Sequence, residues 1–240
     1  MRYSRRMIDA RRIRAITLDL DDTLWPVWPT IQRADQALRD WLAARAPRTA
    51  ALAADGISAP QARRAVLQAR PELTHDLGAI RLEVIRQLLR AAGADPALAE
   101  PAFEVFYRER QRVTLFDDAL PALDFLAARY PLVALSNGNA DVGQVGLARY
   151  FRAAVSAASA GVAKPDARIF HTAAQAAGVT AGAVLHIGDD AALDAAGALG
   201  AGMQTAWVNR ADVAWPPGHA EAPQAVVRDL AALCRLLSST

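Results

Sequence analysis

The sequence predicts an α/β protein: a mostly parallel sheet with helices on both faces, and a block of helices inserted after the first strand. Three observations predict it. Short apolar runs alternate with helical patterns after Asp117, and such alternation implies parallel strands joined by crossover helices. Between about Trp25 and Leu115 the pattern is helical only. Three of the apolar runs end in polar clusters, LDLDDT, VALSNGN and LHIGDD, as expected where strands deliver side chains to one edge of a sheet. The expected division is therefore a sheet domain from residues 1–24 and 116–240, and a helical domain from 25–115.

The elements follow in order. The N-terminal MRYSRRMIDARRIR reads as a solvated basic arm, since it lacks the apolar core of a secretory signal. Arg14 to Leu20 is the first strand. Thr30 to Ala44 is a helix. His75 to Ala92 is a second, with apolar residues at Leu77, Ile80, Val84 and Leu88 and Gly93 to end it. A third starts at Asp95-Pro96, an N-cap and first helical position, and runs to Arg112, with Pro101 expected to interrupt it. Leu120 to Arg129 is helical, Pro131 to Leu135 a strand, and Asp141 to Tyr150 helical. A weak strand follows at Ala153 to Ser156. Pro165 to Ala177 is a helix ended by Gly178. Ala183 to Ile187 is a strand, Asp194 lies in the next helix, Gly200 and Gly202 break it, and Met203 to Val208 is a further strand.

Composition bounds the function. Hydrophobic residues make up 53% of 240 residues, enough for a substantial core, and the net charge is +2. No strong one-signed field is expected, hence no nucleic-acid partner. No apolar stretch reaches membrane-spanning length. The one cysteine, Cys234, cannot form an internal disulfide; it reads as a small core residue, and a reducing, cytoplasmic location is expected. A monomer or homodimer is expected. Of 27 Lys plus Arg, Lys164 is the only lysine. Arg substitutes for Lys on a solvated surface but not where a compact ammonium is required, so Lys164 is a candidate functional residue.

In an extended chain Asp19 and Asp21 point one way and Asp22 the other. Asp22 is expected to bond locally. Paired carboxylates raise each other's pKa unless a cation lies between them. Asp189, from another strand end, adds a third oxygen donor, and such a set suits Mg²⁺. Ser136 and Lys164 add a hydroxyl and a cation, both phosphate-binding groups. The combination points to phosphoryl transfer on a small phosphate ester.

Four motifs then stand in a recognisable order: DLDDT at Asp19 to Thr23, the strand ending in Ser136-Asn137, Lys164 before Pro165-Asp166, and GDDAALD at Gly188 to Asp194. The chain resembles the phosphatases of the haloacid dehalogenase superfamily, and the helical block resembles the cap inserted between the first two motifs in one branch. Asp22 stands where many members have Gly. The resemblance implies a Rossmann-like core, with Asp19 as nucleophile and Asp21 as acid and base. Mg²⁺ would be bound by Asp19, Asp189 and the Asp21 backbone carbonyl. Ser136, the Asn137 N–H and Lys164 would hold phosphate oxygens. Asp194, Asp190 and Thr23 are supporting residues, with direct metal contact by Asp190 or Asp194 left open.

The stretches DLDDTLWP, PELTHDLGAIR and GMQTAWVNR are also similar to the bacterial YigB-type branch, associated with flavin mononucleotide (FMN) and a phosphorylated pyrimidine of riboflavin synthesis. That likeness makes His75 and Arg81 candidate substrate contacts. Trp25 and Trp28 are read either as stacking on an aromatic substrate or as packing where the chain enters the insertion. His186 is read as a satisfied core histidine, and Arg108, Arg110 and Arg112 as a solvated helix face. Rival readings share these residues. A haloacid dehalogenase needs neither Mg²⁺ nor a second acid, so Asp21 argues against it. A phosphosugar mutase carries all four motifs. A phosphate-storing receiver module is shorter and lacks an acid two positions after its nucleophile. A catalytically retired binding protein would show a degraded site, and none of these positions is degraded.

Overall fold

The computed structural model describes residues 7–53, 60–218 and 222–239; the start of the expected basic arm, residues 1–6, lies outside them. In chain order the elements are β1 (Ala15–Leu18), α1 (Val27–Arg45), α2 (Pro47–Leu52), α3 (Pro60–Ala69), α4 (Leu77–Ala91), α5 (Ala99–Arg110), α6 (Ala119–Ala127), β2 (Leu132–Ser136), β3 (Phe151–Ser156), α7 (Ala157–Ala160), α8 (Ala167–Ala177), β4 (Val184–Gly188), α9 (Gly197–Gly200), β5 (Gln204–Val208), β6 (Ala225–Val227) and α10 (Leu230–Ser238). Short 3-10 turns and one π-helical stretch, Ala191–Ala196, join them. The chain forms two compact units, one running up to Pro26 and resuming at Leu115, the other spanning Val27–Thr114.

The first unit is built on a six-stranded sheet in the order β3-β2-β1-β4-β5-β6. Every neighbouring pair is parallel. All residues of β1, β2, β4 and β5 are buried, which is why these strands read as continuous apolar runs. Connections turn opposite ways on the two sides of β1, so a crevice is expected beyond its carboxyl end. On one face Ala15, Val133, Leu135, Val155 and Val184 pack with Ile169, Phe170, Ala173 and Ala177 of α8. That helix is capped by Asp166, whose side chain accepts from Arg168 N. It ends at Gly178, in the left-handed region at φ 77°, which glycine adopts without steric cost.

The sequence expectation fails at Asp141–Tyr150. This segment is a run of turns closing in a 3-10 turn at Ala148–Tyr150. Asp141 Oδ1 accepts from the N–H groups of Gly143 and Gln144, a local bond that competes with helix, and Gly146 sits at φ 81°. The weak strand is longer than expected, beginning at Phe151. Strand β6 and helix α10 were not assigned from the sequence.

The second unit is helical. Ala34, Leu38 and Leu42 of α1, Ile80, Val84, Ile85 and Leu89 of α4, and Ala99, Ala102 and Phe106 of α5 form its core. Asp76 caps α4 through Ala79 N at 2.9 Å, so the helix starts at Leu77 and leaves His75 in the preceding turn. Leu77, expected on the buried stripe, is exposed. Pro101 does not interrupt α5: it lies in the first turn, where its missing N–H would have had no helical partner. Arg110 corrects another expectation. It is 1% exposed, so the arginines of α5 do not form a uniformly solvated face.

Candidate active site

The ladder carries β1 one residue past its end. Asp19 N donates to Ile187 O at 2.9 Å, which places the Asp19 carboxylate at the carboxyl edge of the sheet, 5% exposed. Lys164 arrives from the loop before α8. Its Nζ donates to Asp19 Oδ1 at 2.5 Å, Asp194 Oδ1 at 2.5 Å and Leu135 O at 3.1 Å. These use all three N–H donors of an ammonium. A planar guanidinium cannot place its donors in that arrangement, which accounts for the one lysine in a chain otherwise served by arginine.

Asn137 fixes the backbone of Lys164 from both sides. Lys164 N donates to Asn137 Oδ1 at 2.8 Å, and Asn137 Nδ2 donates to Lys164 O at 3.1 Å. This joins the end of β2 to the lysine loop. Ser136, buried, accepts Gly138 N at 2.9 Å on its Oγ.

Thr23 stands between two acids, its Oγ1 3.1 Å from Asp189 Oδ1 and 3.3 Å from Asp19 Oδ2. Trp207 Nε1 donates to Asp189 O at 2.7 Å and anchors that turn. Asp190 is a helix cap, its Oδ1 accepting from Ala192 N and Leu193 N, both at 2.8 Å, and its own N–H donates to Asp194 Oδ2 at 3.0 Å. Asp194 is pressed against Gly188: a Cβ on that glycine would lie 2.3 Å from Asp194 Cγ.

Charge is out of balance here. Oxygens of Asp19, Asp189 and Asp194 lie within 4.8 Å of one another, against one ammonium. Burial pushes Asp19 well above the usual carboxylate range; Lys164 pulls it back, while Asp194 and Asp189 push it up. Burial and then the Asp194 charge raise Asp189 to about 7. Burial also disfavours ionised Asp194, but Lys164 and His186 outweigh it and hold this carboxyl low. For Lys164 burial is outweighed by the Asp19 and Asp194 carboxylates, which raise it. Three hard oxygen donors with more negative charge than their lysine balances fit a small divalent cation such as Mg²⁺.

Asp21 and Asp22 form a tight turn. Asp22, at φ 57°, donates its N–H to Trp25 O at 2.7 Å, and Trp25 Nε1 donates to Asp21 Oδ1 at 2.8 Å. The ring of Trp25 is completely buried, so it packs the turn and offers no open stacking face. Trp28, in the second unit, is exposed. Arg81 donates from Nη1 to Asp35 Oδ1 at 2.5 Å, and its guanidinium carbon sits 3.6 Å from the centre of the Phe106 ring. His75 is half-buried. The structure thus brings Asp19, Thr23, Ser136, Asn137, Lys164, Asp189, Asp190 and Asp194 together in the first unit, while His75 and Arg81 belong to the second.

Comparison with known proteins places the chain. The family model described as haloacid dehalogenase-like hydrolase matches residues 13–202. The chain is a haloacid dehalogenase-like hydrolase. This hydrolase is 34% identical over 201 residues to the Escherichia coli 5-amino-6-(5-phospho-D-ribitylamino)uracil phosphatase YigB, covering 82% of this chain and 84% of that protein. It is 31% identical over 210 residues to a Methanopyrus kandleri glyceraldehyde 3-phosphate phosphatase, covering 82% and 84%. Among solved structures, a 2-haloacid dehalogenase from Pseudomonas syringae superposes with a TM-score of 0.85 at 38% identity, covering 95% of this chain and 99% of that one.

Sequence reasoning treated His186 as core and did not single out Thr17. In this hydrolase both are buried and both are bonded toward the site: Thr17 Oγ1 lies 2.8 Å from His186 Nδ1, and His186 Nε2 lies 3.2 Å from Asp194 Oδ1. Thr17 could have been found by alternation, since it is a polar residue two positions before Asp19 in an apolar run, and His186 stands out as the polar residue within the apolar run that ends at Gly188. The side-chain role of Asn137 and the close approach at Gly188 had no sequence signal.

Proposed function

We propose that the protein is a Mg²⁺-dependent phosphatase that hydrolyses small phosphate monoesters through a phosphoaspartyl intermediate on Asp19. The observation that carries this reading is the buried Asp19 carboxylate held by Lys164 Nζ at the carboxyl end of β1, with a second acid, Asp21, in the turn that follows. Asp19 attacks phosphorus, the bond to the leaving oxygen breaks, and Asp21 supplies the proton to that oxygen. Asp21 then takes a proton from the water that breaks the acyl phosphate. The Ser136 hydroxyl, the Asn137 N–H and Lys164 hold the non-bridging oxygens. Asp19, Asp189 and the Asp21 carbonyl are the proposed ligands of Mg²⁺, which when bound offsets repulsion between the carboxylate and the phosphate. Asp194 and Asp190 are proposed to act by holding Lys164 and the metal loop, because their oxygens are engaged by protein donors.

The relatives named as phosphatases support the class, and the likeness to YigB makes FMN and the phosphorylated ribityl-pyrimidine the first substrates to try. His75 is the proposed substrate contact of the second unit. Arg81 is proposed to act structurally, given its bonds to Asp35 and Phe106. The relative named as a dehalogenase favours a second reading, hydrolysis of a 2-haloacid, and Asp21 argues against it. The test is phosphate release from a panel of FMN, nucleotides and sugar phosphates with and without Mg²⁺, beside halide release from 2-chloropropionate. Mg²⁺-dependent phosphate release is expected. Halide release without phosphate release would replace this reading with the second.

A further inference from the structure

The Thr17–His186 pair reaches Lys164 through Asp194. Thr17 and His186 are register partners on β1 and β4, both completely buried. Their neighbours two residues back, Ala15 and Val184, face α8, so alternation places both on that side. The edge of Phe170, from α8, meets the His186 ring at 88° with centroids 5.2 Å apart, which fixes the plane of the imidazole.

The tautomer follows from the partners. Asp194 Oδ1 already accepts from Lys164 Nζ and stands 3.2 Å from His186 Nε2. A carboxylate oxygen is an acceptor only, so Nε2 must carry the hydrogen. In a neutral ring Nδ1 is then an acceptor, and Thr17, at 2.8 Å, must be the donor. The opposite tautomer would set the Nε2 lone pair against the Asp194 oxygen. Each hydrogen in the chain Thr17 to His186 to Asp194 therefore has one direction.

We infer that His186 is a positioning residue for the proposed phosphatase reaction: held in its Nε2–H form by Thr17, it fixes the Asp194 carboxylate that, with Asp19, seats the Lys164 ammonium. With Asp190 N on Oδ2, His186 gives Asp194 donors on both oxygens independent of Lys164. The carboxylate is thus placed whether or not the lysine shifts toward a phosphate. The inference rests on the phosphatase reading for its kinetic consequence and on geometry alone for the tautomer.

Two measurements test it. In protein labelled with ¹⁵N at histidine, ring shifts and couplings identify which nitrogen of His186 is protonated, with His186→Gln assigning the signal among four histidines. The expected result is a neutral ring protonated at Nε2; protonation at Nδ1, or an imidazolium at neutral pH, would overturn the inference. The second is turnover of Thr17→Val and Thr17→Ser, compared per folded molecule by circular dichroism. Thr17→Val should lose about tenfold in kcat with KM nearly unchanged, the scale of supporting contacts behind a reactive group, and Thr17→Ser should restore it. Equal kcat for wild type and Thr17→Val would overturn it. If the wild type releases no phosphate, the phosphatase reading fails, and the tautomer measurement still decides the geometry.

Discussion

Lys164 in the first unit and Arg81 in the second are both cations held against a carboxylate away from open solvent, and they differ in what surrounds them. Lys164, in the first unit, meets two carboxylates and a carbonyl, beside a third carboxylate, Asp189. Arg81, in the second unit, meets one carboxylate, Asp35, and the face of Phe106. The arginine centre pairs Arg81 with a carboxylate and an aromatic face, beside the buried Arg110, the surroundings of a structural ion pair. The lysine centre holds surplus negative charge and lies where a parallel sheet opens at its carboxyl edge. Burial alone therefore does not mark a candidate reactive group; surplus negative charge at a strand end is the stronger sign.

The largest effect expected is from Asp19→Asn. It should lower phosphate release by at least ~10³-fold, as loss of a nucleophile does, with an unchanged circular dichroism spectrum; substantial turnover in the folded variant would remove Asp19 from its role. Next is Lys164→Arg, expected to cost about a hundredfold in kcat because the planar fork cannot make the three bonds of the ammonium. Rates near wild type would erase the distinction between the lysine and arginine centres. Gly188→Ala is expected to cost about tenfold, the scale of a displaced supporting group, because its Cβ must move Asp194; the check is kcat on the same ester, and an unchanged value would show that the Asp194 seat is not tight. Smallest in turnover is Asp35→Ala. It should destabilise the second unit by about 3 kcal/mol through the stranded Arg81 charge, measured by chemical denaturation, while kcat on a small ester stays within about threefold. Selective loss with FMN, without loss of stability, would instead give Arg81 a substrate role.

The parts of this comparison were unequally legible in the sequence. AITL, LVALS and VLHIG were readable as strands because they are buried on both faces, and their polar ends named Asp19, Ser136 and Asp189 directly. Lys164 was visible through composition. The turns at Asp141–Tyr150 were missed because apolar spacing there imitates a helix, while Asp141 and Gly146 hold the backbone in turns. Strand β6 has three residues, too few for any period. The burial of Arg110 and the pairing of Arg81 with Asp35 depend on helix packing, to which local pattern is blind. The bonds joining Thr17, His186 and Asp194 required the parallel register of β1 with β4, a long-range fact.

The position of β1 also has a consequence in time. Both its sheet neighbours come long after it in the chain: β2 begins at Leu132 and β4 at Val184. As the chain leaves the ribosome the whole second unit is complete before β1 gains a partner. A strand buried at every residue in the finished protein must wait exposed until then, a hazard of high contact order. Asp19 is synthesised before the residues that surround it, Ser136, Lys164 and Asp194, which follow in succession. The proposed chemistry at Asp19 would thus be withheld from the nascent chain until translation has passed Asp194.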